Sequence, residues 1–314
     1  MKKVVFMGTP DFAVPILESL IQSPDYEVQA VVTQPDRPAG RKKVLKMPPV
    51  KELAVEHNLL VLQPDNMKDE EVFTKLQDLA PDLLITAAFG QFLPVRILDL
   101  APYGVVNVHA SLLPKYRGGA PIHAAIINGD KETGVTIMKT VLKMDAGDIL
   151  SQRVLPITDE DNVGTIFEQL SLLGRDLLLE TLPHYFAGQI KPIAQDEQQA
   201  TISPNISREA EVIDWSKNAR AVFNHIRGLN PWPVAHTLFN DTRLKVFNSF
   251  VVDESTTLAP GTICKRTKDE LWVACGEQTV LALTEVQLAG KSKMSIQQFL
   301  NGSGQKLQLG DLLG

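Results

Sequence analysis

Two polar side chains in an otherwise apolar run are the first residues in this sequence equipped for chemistry. Asn107 and His109 stand two apart within residues 104–121, GVVNVHASLLPKYRGGAP. A strand repeats every two residues, so both side chains leave the same side of the chain. Val105, Val106 and Val108 favour that strand, and Ser111, Pro114, Gly118, Gly119 and Pro121 lead it into a shaped loop. An amide donor and an imidazole at such a strand end can polarise a carbonyl and move a proton. Residues 141–149, VLKMDAGDI, offer a carboxylate to work with them: Asp145 and Asp148 lie around Gly147 among apolar neighbours, and either could meet His109 across a sheet. Metal chemistry finds no support, because there is no HExxH and no closely spaced Cys/His set, and Cys264 and Cys275 stand eleven apart. The two aspartates do not by themselves require a cation.

The elements that must position these groups read as alternating strands and helices. Residues 2–7 form a buried strand, followed by Gly8, Thr9 and Pro10 and a helix carrying Phe12, Ile16, Leu17 and Leu20. The dinucleotide fingerprint GxGxxG is missing from that turn. Strands follow at 28–33, 59–62 and 83–87, with helices at 49–57, 68–79 and 92–98; proline and glycine leave residues 34–49 irregular. Beyond the Asn107 strand come a helix at 122–127, strands at 134–139 and 152–156, and an amphipathic helix at 163–186. That helix is expected to turn Leu170, Leu172, Leu173, Leu177, Leu178 and Leu182 toward a core. This alternation predicts an α/β domain with a parallel-rich sheet over residues 1–189. Residues 190–207 are polar, contain two prolines and read as a linker. Residues 208–314 give a helix at 219–227, a break at Asn230-Pro231-Trp232-Pro233 and five short strands, which suggest a small OB-like β-barrel. Trp232 suits either base stacking or an anchor between helix and barrel.

With 314 residues the chain can bury a sizeable core in two domains. Its formal charge of -6 combines -7 over residues 1–207 with +1 over the remainder. Within that acidic part, residues 36–51 gather six basic side chains against Asp36, a local patch able to contact phosphate. The opening residues are too short an apolar run for a secretion signal, and no run reaches the length of a membrane span. The expectation is a cytosolic protein without disulfides, with nothing demanding more than a monomer.

The central motif NVHASLLPKYRGGAP, with FMGTPDFAVPIL near the start, resembles the methionyl-tRNA formyltransferases. The basic loop, VLKMDAGDI, ISREAEVIDW at 206–215 and RGLNPWPVA at 227–235 extend the resemblance over nearly the whole chain. It implies a Rossmann-like formyltransferase domain followed by an OB-like domain that helps hold tRNA. The implied reaction moves the formyl group of 10-formyltetrahydrofolate, as co-substrate and without a metal, to the α-amine of methionyl initiator tRNA. Asn107, His109 and Asp145 match the family's catalytic trio. Ser111, Leu112, Leu113 and Pro114 match its folate signature, and Phe89, Gly90, Gln91 and Leu93 the wall of the pterin pocket. Arg37, Arg41, Lys42, Lys43 and Lys46 of the basic loop are implied contacts for the tRNA acceptor end, with Arg208 and Arg227 as further candidates. The chemistry is coherent on its own terms: amine attack on a formamide carbon places negative charge on oxygen, which Asn107 and His109 would stabilise while Asp145 orients His109. Two other readings keep some of these features. A formyltransferase acting on a small amine would retain the trio and the folate pocket, and a noncatalytic RNA-binding protein would retain only the basic loop.

Overall fold

A computed structural model describes residues 1–39 and 44–314. They form two compact units. The first comprises residues 1–121, 132–156 and 167–203, the second residues 122–131, 157–166 and 204–314.

The chain opens with β1 (Lys2–Gly8), in which residues 4–7 are fully buried, as a strand covered on both faces requires. A short turn leads into α1 (Val14–Gln22), with Pro15 in the first turn where its missing donor is not needed. In chain order there follow β2 (Tyr26–Val32), β3 (Arg37–Ala39), β4 (Val44–Lys46), α2 (Pro49–Glu56), β5 (Val61–Leu62), α3 (Glu70–Leu79), β6 (Leu83–Ala87), α4 (Val95–Leu98) and β7 (Val105–His109). Then come β8 (Arg117–Gly118), α5 (Pro121–Ile127), β9 (Glu132–Lys139), β10 (Ile149–Pro156), α6 (Val163–Phe186) and β11 (Ile202–Ser203). Seven strands make one sheet in the order β10-β9-β7-β6-β1-β2-β5. Strands β7, β6, β1, β2 and β5 are parallel, whereas β9 and β10 run antiparallel to their neighbours. The sheet is therefore parallel-rich, as expected. From β1 the chain builds outward through β2 to β5, then returns to the other side of β1 with β6 and β7. That reversal opens a crevice at the C-terminal ends of β1 and β6, where α/β sheets bind ligands.

Three sequence expectations change in this unit. Residues 34–49 are not irregular throughout, because β3 and β4 pair as an antiparallel ribbon with Arg37 opposite Lys46. A two-stranded ribbon has only edge strands, the place where Pro38 is tolerated. Leu172 is 45% exposed rather than facing the core, while Leu170, Leu177, Leu178 and Leu182 are buried. The stretch 190–207 is tied to the sheet unit for much of its length: Ile193 and Ile149 exchange backbone hydrogen bonds, and β11 pairs with β8. Backbone pairing of this kind leaves no hydrophobic period to read.

The second unit contains α7 (Ala219–Gly228), β12 (His236–Phe239), β13 (Thr242–Ser255), β14 (Ile263–Arg266), β15 (Leu271–Ala274), β16 (Thr279–Leu288), β17 (Met294–Ser295) and α8 (Ile296–Asn301). Its antiparallel sheet has the order β12-β13-β16-β15-β14, with β17 on β16. β12 and β14 do not pair directly; residues 311–314 bond to Ile263 and Gly261 on one side and to Leu238 on the other. The core joins Val222, Phe223 and Ile226 of α7 to Leu244, Val246, Leu281, Leu283 and Phe299. Among the described residues no helix is long and apolar enough to cross a membrane.

Three histidines in this unit, His123, His225 and His236, each have a buried ring nitrogen without a hydrogen-bond partner among the described residues, though His236 Nδ1 lies 3.9 Å from Glu211. Burial pushes all three below the ordinary histidine value of 6.5, and at His236 the charge of Arg243 acts in the same direction. The unfolded chain takes up these protons more readily than the folded one. Stability is therefore full above the ordinary value and falls as pH drops through 6.5 toward the folded values. Thermal denaturation between pH 8 and pH 5, a window set about the reference histidine value, is expected to show Tm falling on the acid side. Replacing His225 with Gln removes up to about 1.4 kcal/mol per pH unit of that slope, the effect of one proton.

Candidate active site

Asn107 and His109 end β7, and their neighbours decide which way each one faces. Asn107 lies in register with Thr86 of β6, whose hydroxyl donates to Asn107 Oδ1 at 2.8 Å. The amide oxygen is thereby engaged, and the amide nitrogen is the end left to donate. His109 is buried, 6% exposed. Its Nε2–H donates to the Tyr116 carbonyl at 3.0 Å, and its Nδ1 lies 3.8 Å from Asp145 Oδ2. Of the two acids around Gly147, Asp145 is the one at the imidazole. Its carboxylate also accepts from the Gly118 amide at 2.8 Å. The loops after β7 and after β9 thus meet at His109. The sequence reading gave His109 a share of the oxyanion. In this arrangement Nε2 is engaged with Tyr116, which leaves Asn107 as the ready donor.

Several backbone features hold this arrangement. Tyr116 and Asp145 adopt left-handed φ values of 61° and 49°, a conformation that non-glycine residues keep only when their surroundings enforce it. Arg117, between Tyr116 and Gly118, is 2% exposed; its guanidinium donates to Gln195 Oε1 at 3.0 and 2.9 Å and pairs with Glu197 at 3.0 Å. Lys143 also pairs with Glu197, at 2.5 Å. Arg117 first and Lys143 second bring the Glu197 carboxyl down to about 2. This clamp is therefore fully formed above the ordinary glutamate value of 4.5 and is lost only as pH falls toward 2. Gly147 passes so close to β9 that an added Cβ would sit 1.8 Å from the Lys139 carbonyl oxygen. Gly147→Ala is expected to push the Asp145 loop off the strand. Thermal denaturation should register a loss of about 1–3 kcal/mol, with a parallel drop in activity.

The residues expected at a folate pocket divide into two groups. Phe89 is buried, and its carbonyl accepts from Thr9 Oγ1 at 3.0 Å and Gln34 Nε2 at 3.3 Å, which seats residues 89–93 at the reversal point of the sheet. Gly90 is exposed with φ 79°, and Leu93 packs in the core beneath. Gln91 donates to the Pro64 carbonyl at 2.8 Å, while its Oε1 is buried with no partner among the described residues. That orphaned acceptor fits a ligand carrying N–H donors, as a pterin ring does. Residues 111–114 instead shape the turn. The Ser111 hydroxyl donates to the Lys115 carbonyl at 2.7 Å, and the Ser111 carbonyl accepts from Thr136 at 2.6 Å. Leu113 packs with Met138 and Ile149. Leu112 lies against Gly134, and the Pro114 carbonyl accepts from the Thr201 amide at 3.3 Å.

The proposed tRNA contacts fare differently. Arg37 and Lys46 are exposed on the β3–β4 ribbon, whereas Arg41, Lys42 and Lys43 lie outside the described residues. Asp36, the one acid of the basic stretch, is bonded to Gln63 at 2.8 Å and Lys51 at 2.7 Å. These two partners hold its carboxyl below the ordinary value. Arg208 is exposed at a short helical turn. Arg227 is corrected: it is 8% exposed, with its guanidinium donating to Asn224 at 2.9 Å and to the carbonyls of Thr158 at 2.5 Å and Asp161 at 3.2 Å. A cation spent on internal carbonyls is a structural strut. Its position in helical register on the buried face of α7 was the available warning. Among the described residues no three His, Cys, Asp or Glu side chains gather as a metal site would. Thr86, Arg117 and Gln195 are supporting residues that the sequence reading missed. Thr86 lies in the strand read at 83–87 and Arg117 within the central motif, but Gln195 sits in a polar stretch with no pattern.

A parallel-rich sheet with an amide, an imidazole and a carboxylate converging at the end of β7 is an arrangement suited to group transfer. A family model described as formyl transferase matches residues 1–182, and one described as formyl transferase, C-terminal domain, matches residues 205–304. The chain belongs to the formyl transferase family. It is 61% identical over 307 residues to the methionyl-tRNA formyltransferase of Enterococcus faecalis, covering 98% of each chain. It is 56% identical over 314 residues to that of Streptococcus mutans, covering the whole of both. It shares its fold with the N-formyltransferase of Helicobacter canadensis, whose structure holds folinic acid and dTDP-3-aminofucose. There the TM-score is 0.67 at 18% identity, over 90% of this chain and 99% of that one.

Proposed function

We propose that this chain transfers the formyl group of 10-formyltetrahydrofolate to the α-amine of methionyl initiator tRNA, giving N-formylmethionyl-tRNA and tetrahydrofolate. The observation that carries the reading is the meeting of Asn107, His109 and Asp145 at the end of β7, in a chain alike over its full length to methionyl-tRNA formyltransferases. The folate supplies the activated formyl group. Asn107, its oxygen held by Thr86, turns its amide nitrogen to the formyl oxygen and stabilises the charge that develops there. His109 and Asp145 take and pass the proton that the attacking amine must lose. Gln91 offers its free oxygen to the pterin, and residues 111–114 shape the wall opposite. Arg37 and Lys46, with Arg41, Lys42 and Lys43, hold the acceptor end through its phosphates, and Arg208 is a separate contact for the tRNA. The reading has the enzyme acting as a monomer in the cytoplasm.

The test is transfer of labelled formyl from 10-formyltetrahydrofolate to methionyl initiator tRNA, with uncharged tRNA, free methionine and a free amino sugar as parallel acceptors. Label is expected on the charged tRNA alone. Transfer to the amino sugar at a matching rate would make this a small-amine formyltransferase. Tight tRNA binding without any transfer would make it an RNA-binding protein.

A further inference from the structure

Gln195 lies beyond α6 in the polar stretch that reads as a linker, yet its side chain spans two functional loops. Its Oε1 accepts from Arg117 Nε and Nη2 at 3.0 and 2.9 Å. A guanidinium can only donate, so the amide must present its oxygen there. The amide nitrogen is thereby turned to the loop after β9, where it donates to the carbonyls of Asp145 at 2.8 Å and Gly147 at 2.7 Å. Those two carbonyls belong to the left-handed Asp145 itself, φ 49°, and to the residue two further on, in the turn that aims the Asp145 carboxylate at His109. Glu197, two residues further on, ties Lys143 of the same loop to Arg117.

From this juxtaposition we infer that Gln195 is a positioning residue for the transfer reaction: it fixes the turn at Asp145, and through it the distance from the carboxylate to His109, without touching either substrate. The inference rests on the catalytic assignment of Asn107, His109 and Asp145. A left-handed aspartate persists only where its surroundings enforce it, and Gln195 engages the peptide carbonyls on both sides of Ala146. Without those donors the turn relaxes and the carboxylate drifts. A displacement of about 1 Å at a reacting group is worth on the order of 10²-fold in rate.

Two variants separate this role from simple packing. Gln195→Glu keeps an acceptor for Arg117 and removes both donors, whereas Gln195→Leu removes everything. Both are expected to lower kcat by about 10- to 100-fold. The KM values for 10-formyltetrahydrofolate and methionyl-tRNA should stay within about twofold, and the pH–rate profile should move, because the alignment of His109 with Asp145 has changed. In an Asp145→Ala background neither variant should cost more than about a further twofold, since nothing remains to be positioned. The inference is overturned by a folded Gln195→Glu protein with kcat and pH profile like the parent, or by a full additional loss in the Asp145→Ala background. Should the Leu variant fail to fold, the Glu variant, which retains the Arg117 contact, decides. Full activity of Asp145→Ala would instead strike down the catalytic assignment. An impaired Asp145→Ala beside unimpaired Gln195 variants would strike down the positioning role alone.

Discussion

Asn107→Ala is expected to lower kcat for formyl transfer by about 10²- to 10³-fold, with KM for both substrates changed by no more than a few-fold. The split follows from when the interaction is made. A formyl oxygen in the ground state is a neutral carbonyl, and the Asn107 amide strengthens its hold only as charge accumulates there, so the loss falls on the chemical step. Asn107→Asp sharpens the test. Its carboxylate can still accept from Thr86 as Asn107 Oδ1 does at 2.8 Å, so the side chain stays in place, but the group facing the substrate becomes a negative acceptor. A variant that fits yet repels should be at least as slow as the alanine. Thr86→Val, which leaves the amide in place but free to turn, should cost less, about 3- to 10-fold. Steady-state kinetics with unfolding curves for each protein check the series. Alanine and aspartate variants with parental kcat would remove Asn107 from the reaction.

The legible parts of this site were those written as local patterns. Period-two valines place Asn107 and His109 at the end of β7, and the proline- and glycine-rich run after them marks the loop that brings Tyr116 and Gly118 back to His109 and Asp145. The alternation of strands and helices gave the sheet, including the apolar strand β6, though not the role of its Thr86 beside Asn107. What was hidden depends on distance along the chain. Gln195 reaches Asp145 across 50 positions, and no spacing rule connects a polar stretch to a turn so far upstream. The β3–β4 ribbon was hidden because proline reads as a breaker even where an edge tolerates it. Arg227 misled because charge was read without the register of its helix, which turns that arginine into the interior with Val222, Phe223 and Ile226. Five of the six strands in the second unit were readable from alternation, but β13, 14 residues long, runs past its expected ends, and β17, two residues long, is too short to show a period.

The sequence offered two aspartates beside Gly147, and the structure makes them unequal enough to predict opposite outcomes. Asp145→Ala is expected to reduce kcat on the order of 10²- to 10⁴-fold, the range for losing a group that supports proton transfer. Asp148→Ala should remain within about threefold, as a substitution remote from the chemistry does. The Asp145 carboxylate lies 3.8 Å from His109 Nδ1 and accepts from the Gly118 amide at 2.8 Å, so its removal deprives the imidazole of its anionic neighbour and the loop after β7 of an acceptor. Asp148 contributes its backbone carbonyl, which receives the Lys139 amide at 2.9 Å, and alanine preserves that bond. Asp145→Asn separates charge from shape: it can still accept from Gly118, but it cannot balance a proton on His109. If charge is what matters, the asparagine enzyme is nearly as slow as the alanine one while its Tm stays close to the parent. If the carboxylate serves only to hold the loop, asparagine restores most of kcat, and the proton must leave the amine by another route.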